Sequence, residues 1–544
     1  MRIQQSVAQD DLFSLVAAKT LYSSGIPQHF KFPDRIQAFS PHLYLYSMVL
    51  AFKLFGVSEV AARLPGVCSG VLAIIMVFLI MKSFSEGDKV NRLQWASLSS
   101  LLYASTPAVV QGSLILATGN TILIPVILLL YYSFAKYQQS KNFVWAVLIA
   151  LTMAVALWGR VTTPPIIAFL LIFYALMSKN TFRIKLFSIC AILSGALLFV
   201  LSWYIYCKVT GVPFSQPFMY ALDALQNKGW GSGGLSISQT ILNLIFLTLW
   251  VGVFPLLLFL TVTAKRFKYL LKDFQLCLED IFLLSSLVLI VGYTLIGGAI
   301  FGFPRYHCSA IPLFYIFIGI ALSKSKASFT DFRLKIIFII TIVAFLIQIL
   351  VVGDLLYVFR YTLRSAIVLV SPLYPILKGT VFKIGFFLFT LTLLFAVCSR
   401  YLFKKSWILL LVIFSVGTNT GILFLQSTVA YHTGYNYGGE GTIEAARYVR
   451  ENVPLQSVVL APSEVIYYLK LQNSSYLPDK LWTNTDELRR RLADGNTSAL
   501  VYSIATNTIQ QIQTISTNEE IQALLHKYFD ETKIGSYVIW IRKK

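Results

Sequence analysis

Residues 184–206 read IKLFSICAILSGALLFVLSWYIY, 23 positions with a single charge, Lys185, near the start. An α-helix needs about 20 apolar residues to cross the ~30 Å hydrocarbon core of a bilayer. Such a helix satisfies its own backbone hydrogen bonds in lipid. Working outward from this stretch, similar runs stand at 64–82, 95–112, 114–134, 143–158, 164–177, 239–263, 279–299, 308–323, 334–352, 380–402 and 406–425. Composition agrees. The 544 residues are 57% hydrophobic and 15% aromatic, only 13% are charged, and the mean hydropathy is +0.71. Soluble domains carry roughly twice that charged share. The fold class expected is an all-α polytopic membrane protein of about a dozen spans, with a small C-terminal α/β domain. The stretch Leu43–Phe55 is apolar but short, and suits an interfacial or re-entrant helix.

The net charge of +21 does not point to nucleic acid, because the basic residues sit in short loops between apolar runs. One set of alternate loops carries nineteen: Lys82, Lys89 and Arg92; Lys136 and Lys141; Lys179, Arg183 and Lys185; Lys265, Arg266, Lys268 and Lys272; Lys324, Lys326, Arg333 and Lys335; Arg400, Lys404 and Lys405. The other set carries seven: Arg160, Lys208, Lys228, Arg305, Arg360, Arg364 and Lys378. The positive-inside rule makes the first set cytoplasmic. Residues 1–63 are then outside, and an even number of crossings puts the tail outside as well. An external start without a signal segment leads to the expectation of a further hydrophobic helix upstream of Met1.

The chain divides into 1–63, a first extracytoplasmic loop; 64–429, the membrane domain; and 430–544, a soluble-type domain. In the last part the pattern predicts helices at Thr442–Asn452, Glu464–Leu471, Asp486–Ala493 and Glu519–Phe529. Strands are predicted at Ser457–Ala461, Ala499–Ser503 and Tyr537–Arg542. That domain has no GxGxxG and no P-loop, so nothing there reads as a nucleotide site. The six cysteines are scattered and form no CxxC or Cys/His cluster of the zinc type.

The apolar cores of the spans are almost devoid of ionisable residues, whereas transporters keep such groups at mid-membrane. The polar chemistry concentrates in the loops assigned to the outside. The first of them contains QDDLFSLVAAKTLYSSGIP from Gln9 to Pro27, in which two adjacent acids open a helix. Leu12, Leu15, Val16 and Leu21 suit a helix lying on the membrane. There follow Ser40-Pro41-His42-Leu43-Tyr44, Leu54-Phe55-Gly56 and Ala62-Arg63-Leu64-Pro65.

This ordered series resembles the first extracytoplasmic loop of the GT-C glycosyltransferases. It is most similar to the protein O-mannosyltransferase-like group that includes the bacterial aminoarabinose transferases of lipid A. The resemblance continues through Asn120, Arg160, Arg305-Tyr306 and Pro312. It implies transfer of a sugar from a polyprenyl-phosphate donor to a lipid, protein or polysaccharide hydroxyl on the outer side of a bacterial inner membrane. In the family the first acid of the pair is the general base, a position held here by Asp10; Asp11, at the second, orients or caps. The leaving lipid phosphate needs cations, for which Arg160 and Arg305 are the candidates, with Lys31 and Arg35 behind them. Phe39 and Ser40 stand where the family has Glu and Lys, Asn120 where it often has an acid, and His42 where it has Pro. With those acids gone the reading carries no metal and no cofactor, and leaves the sugar open. His42 reads as an interfacial contact. The 207–238 loop, with Asp223, Lys228 and Gly229–Gly234, reads either as a lid or as a connector. The alternatives to a transferase are a flippase or transporter of lipid-linked glycans and a catalytically silent scaffold of the same fold.

Overall fold

A computed structural model describes residues 9–28, 36, 41–85, 88–116, 119–226, 240–241, 244, 247–248, 250–272, 276–295, 304–324, 415–417, 419, 441–454, 457–469, 474–476, 485–495, 497–503, 515–516 and 518–543. The chain enters as α1 (Gln9–Ser24) and α2 (Leu43–Phe55). The bundle follows: α3 (Glu59–Phe84), α4 (Lys89–Ser105), α5 (Pro107–Gly112), α6 (Gly119–Ser140), α7 (Phe143–Gly159), α8 (Thr163–Met177) and α9 (Phe182–Thr210). Next come α10 (Gln216–Gln226), α11 (Val253–Lys272), α12 (Leu278–Leu295) and α13 (Ile311–Lys324), the last preceded by a 3₁₀ turn at Arg305–Ser309. Among the described residues, three helices are long and apolar enough to cross a membrane, α3, α9 and α12; α2, α7, α8 and α13 are shorter and apolar. The spans expected at 334–352, 380–402 and nearly all of 406–425 lie outside the described residues.

The helices start where short polar side chains accept the orphan amides of a first turn. Ser58 accepts from Ala61 N–H at 3.1 Å, and Asp88 from Asn91 N–H at 2.7 Å. Their faces then sort by surroundings. On α9, Ser188, Ile192, Gly195, Phe199 and Trp203 are buried, at helical spacing. Leu193, Leu197, Leu201 and Ile205, four residues apart along another face, are exposed. A continuous exposed apolar ridge of that kind is not a water-facing surface; it is the face a helix presents to lipid. Inside the bundle small residues let backbones approach: a Cβ on Gly195 would stand 2.4 Å from the Ala150 carbonyl oxygen of α7.

The helix directions alternate. Tyr293 near the end of α12 bonds Thr163 at the start of α8, while Lys324 at the end of α13 reaches Glu279 at the start of α12. The end opposite α1 is fastened by charge. Arg266 of α11 grips Asp280 with Nε at 2.7 Å and a terminal nitrogen at 2.6 Å, and Asp280 also accepts from Cys277 N–H. Two expectations are corrected here. Residues 265–272 are the closing turns of α11 rather than a loop, because the guanidinium of Arg266 is held against the next helix. The single span expected at 95–112 breaks at Thr106, where Pro107 has no amide to continue the α4 ladder and instead opens α5.

The C-terminal part is an α/β unit of α14 (Thr442–Asn452), α15 (Ser463–Leu469), α16 (Thr485–Ala493) and α17 (Glu519–Tyr528) around a five-stranded sheet. The strands are β1 (Val458–Ala461), β2 (Ser474–Tyr476), β3 (Thr497–Ser503), β4 (Phe529–Ile534) and β5 (Tyr537–Arg542), in the order β2-β1-β3-β5-β4. β1 pairs in parallel with β2 and β3, whereas β5 is antiparallel to β3 and β4. β2 and β4 were not anticipated. Both edge strands are polar, β4 reading FDETKI, so neither shows the apolar alternation of a half-buried strand. Tyr467 and Tyr468 of α15 pack against the cluster formed by α1, α2 and the start of α3, which puts this unit and α1 at the same end of the bundle.

Candidate functional site

α1 carries the acid pair in its first turn. Asp11 is fully buried; the side chain of Asp10 lies outside the described residues. The apolar side of α1 is not laid on lipid as expected. Leu12, Leu15, Ala17, Ala18 and Leu21 are buried against Tyr44, Leu45, Met48 and Phe52 of α2, Ala61 and Ala62 of α3, and Leu116. The lipid-facing role falls to α2 instead, which exposes Tyr46, Leu50, Leu54 and Phe55 on its far side. At 13 residues, about 20 Å, α2 is too short to cross and fits the interfacial reading.

Arg63, one turn into α3, is also fully buried. Just below it two small cavities share Ser113: one is lined by Ala62, Arg63, Gly66 and Leu116 among others, the next by Gly70, Tyr103 and Cys308. Gly66 is required there, since a Cβ would stand 2.4 Å from the Ser113 carbonyl oxygen. The second cavity reaches Cys308, in the turn that also holds Arg305.

That turn carries one of the predicted cations and the ring on which the other rests. Arg160, where α7 ends, lays its guanidinium over the ring of Tyr306, 4.3 Å from the centroid, and donates from Nε to Thr162 Oγ1 at 2.8 Å. Arg305, the neighbour of Tyr306, is buried in the 3₁₀ turn. Tyr306 stacks on Tyr293 at 5.7 Å, and Tyr293 shares a hydrogen bond of 2.5 Å with Thr163. His307, fully buried, pairs through Nε2 with Thr294 at 3.0 Å. A guanidinium presents a fork of N–H donors whose geometry suits phosphate oxygens. Lys31 and Arg35 lie outside the described residues, as does the side chain of Asn120.

Sequence reasoning missed Tyr293, Tyr306's role as a platform, and His307; aromatic residues in an apolar run give no signal of it. His42 is an interior contact, its Nδ1 2.7 Å from the Tyr206 hydroxyl, beside Trp203. The loop after α9 begins anchored, with Trp203 Nε1 donating to Phe214 O at 3.0 Å, and continues as α10; the glycine stretch 229–234 lies outside the described residues. Among the described residues no group of three or more His, Cys, Asp or Glu side chains could hold a metal ion.

Residues 40–205 match the family described as dolichyl-phosphate-mannose-protein mannosyltransferase. No curated protein sequence matches the chain. Two solved structures share its fold over nearly the whole length. One is ArnT from Cupriavidus metallidurans bound to undecaprenyl phosphate, with a TM-score of 0.66 and 13% identity over 99% of this chain and 94% of that one. The other is the same protein in the apo state, with a TM-score of 0.62 and 15% identity over the same shares. What these findings establish is the fold, that of a membrane protein built like ArnT. Residues 40–205 of that fold are the part that matches the mannosyltransferase family.

Proposed function

We propose that this protein transfers a sugar from a polyprenyl-phosphate donor to an acceptor hydroxyl at the outer face of a bacterial inner membrane. The observation that carries the reading is the guanidinium of Arg160 laid over Tyr306, the residue after the buried Arg305, at the end of the bundle that also bears α1. A guanidinium there answers the charge that grows on a departing lipid phosphate. The bound undecaprenyl phosphate of the similarly folded ArnT supports a donor of that class. Asp10 serves as the base. The acceptor oxygen gives its proton to the carboxylate as its bond to the anomeric carbon forms, while the bond from that carbon to the phosphate oxygen breaks and frees the polyprenyl phosphate. Asp11, buried in the same turn, orients rather than reacts.

The test is transfer by the purified chain from a panel of polyprenyl-phosphate sugars, repeated with Asp10→Asn. The asparagine keeps size but takes up no proton, so turnover falls by roughly 10²–10⁴-fold, with donor binding retained. Undiminished transfer by that variant removes Asp10 as the base. Translocation of lipid-linked sugar without covalent product returns the reading to a flippase.

A further inference from the structure

The acid pair stands on a helix that is held at its other end by the C-terminal domain. Lys19 of α1 donates from Nζ to the Tyr467 hydroxyl. Tyr468 meets Tyr467 edge to face at 4.9 Å, and both rings cover the α1 cluster. A charged donor on a phenol oxygen is more directional than apolar contact alone. Burial, and after it the charge of Glu59, raises the Tyr467 hydroxyl above its ordinary range, so it stays a neutral phenol.

The helix that presents Tyr467 is itself fastened. Glu464, fully buried near the start of α15, accepts from the Tyr537 hydroxyl at 3.4 Å and from Ser463 Oγ at 3.4 Å. Tyr537 in turn shares a hydrogen bond of 2.8 Å with Thr442 Oγ1. The clasp is thus tied to the sheet through β5 and to α14. On α1, residues 11, 15 and 19 recur at the four-residue spacing that lines up one helix face, and Asp11 and Leu15 are both fully buried. A shift at Lys19 is therefore carried along a continuous 16-residue helix to its acid turn.

We propose that the C-terminal domain positions the acid turn of α1, with Lys19 and Tyr467 as the positioning residues. The inference deepens the transferase reading above and rests on it for its catalytic consequence. The contact joins residues 448 positions apart, so it is a tertiary device that no local element requires. Misplacing a catalytic group by about 1 Å costs on the order of 10²-fold; a loosened helix that still visits its proper place loses less.

The experiment uses the full chain in detergent, as wild type, Tyr467→Leu, Tyr467→Phe and Lys19→Met. Amide hydrogen exchange is followed in α1, α3 and α9, alongside kcat and donor KM with a polyprenyl-phosphate sugar. The expected result for Tyr467→Leu and Lys19→Met is exchange about tenfold faster in α1 alone, with kcat down roughly 10–30-fold and donor KM within about threefold. Tyr467→Phe keeps the packing but loses the acceptor hydroxyl, and falls between wild type and Tyr467→Leu in both exchange and kcat. Unchanged exchange in α1, faster exchange throughout the bundle, or a loosened α1 at full kcat each overturn the proposal. If the wild type transfers no sugar while α1 still loosens, the transferase reading fails and the clasp stands.

Discussion

Tyr306→Leu removes the aromatic face beneath Arg160 while leaving an apolar side chain in the 3₁₀ turn. The guanidinium lies 4.3 Å from the ring centroid and Arg160 is half-buried. A cation–π contact contributes about 0.5–1 kcal/mol when exposed and about 2 when desolvated, which places this one near 1–1.5 kcal/mol. The bond from Arg160 Nε to Thr162 survives the substitution, so the side chain loses its platform but not its tether. If Arg160 holds the donor phosphate, the loss falls on binding. With tenfold per 1.4 kcal/mol, donor KM rises about 5–10-fold and kcat changes little. Tyr306→Phe, which keeps the face, stays within about twofold. Arg160→Ala forfeits the charged hydrogen bonds themselves, about 1.5–3 kcal/mol or roughly 10–150-fold. Initial rates against polyprenyl-phosphate sugar concentration, with direct binding of the sugar-free lipid phosphate, measure both. A donor KM that neither Tyr306→Leu nor Arg160→Ala moves refutes the phosphate assignment.

At the opposite end of the bundle, Arg266→Met leaves the Asp280 carboxylate, at 0% exposure, without its gripping cation, at about 3–5 kcal/mol. Asp280→Leu, which leaves a guanidinium 22% exposed and able to reach water, costs about 1–3 kcal/mol. Unfolding titrations in mixed micelles should keep that order, and the reverse order contradicts the burial argument. Reporter fusions after Lys141 and Lys404 should read cytoplasmic and one after Lys470 external; a cytoplasmic reading at Lys470 defeats the assignment of an outer active site. In α16, Arg491 donates to Glu487 and holds its carboxyl below the ordinary range. A depressed folded value stabilises above the unfolded one and is lost as pH falls. Melting curves of wild type and Arg491→Gln should therefore converge as pH drops through the carboxylate range.

Much of the architecture was legible because lipid imposes a simple rule on sequence. Each apolar run from 64 to 177 lies within a helix, apart from the break at Thr106-Pro107 and the short stretch before α6. Even that break has a visible cause in proline. In the α/β unit, α14 was read to its last residue, since Ala445, Ala446 and Val449 mark one face. What stayed hidden depended on partners distant in sequence. β4 reads as polar coil until β5 lies beside it, and Lys265–Lys272 read as a loop until Asp280 meets Arg266. The apolar side of α1 has the pattern of a membrane-surface helix, and only the arrival of α2, α3 and Tyr467 shows that protein covers it. Of the site, Arg160 and Arg305 stand out in the sequence as isolated cations in sparsely charged loops. That Arg160 rests on the Tyr306 ring was not legible, because Tyr306 lies 146 positions beyond Arg160.

The ion pairs that tie α11, α12 and α13 together sit at one extremity, Arg266 to Asp280 and Lys324 to Glu279. They make that extremity a fulcrum. α12 is 18 residues long, so its far tip stands about 27 Å from the pin at 1.5 Å per residue. A tilt of about 5° there, too small to part either ion pair, sweeps the tip by about 2 Å on the same lever arm. That tip is where Tyr293 stacks on Tyr306. Salt bridges at the pinned end thus turn small rotations of α12 into larger displacements of the ring stack at its tip.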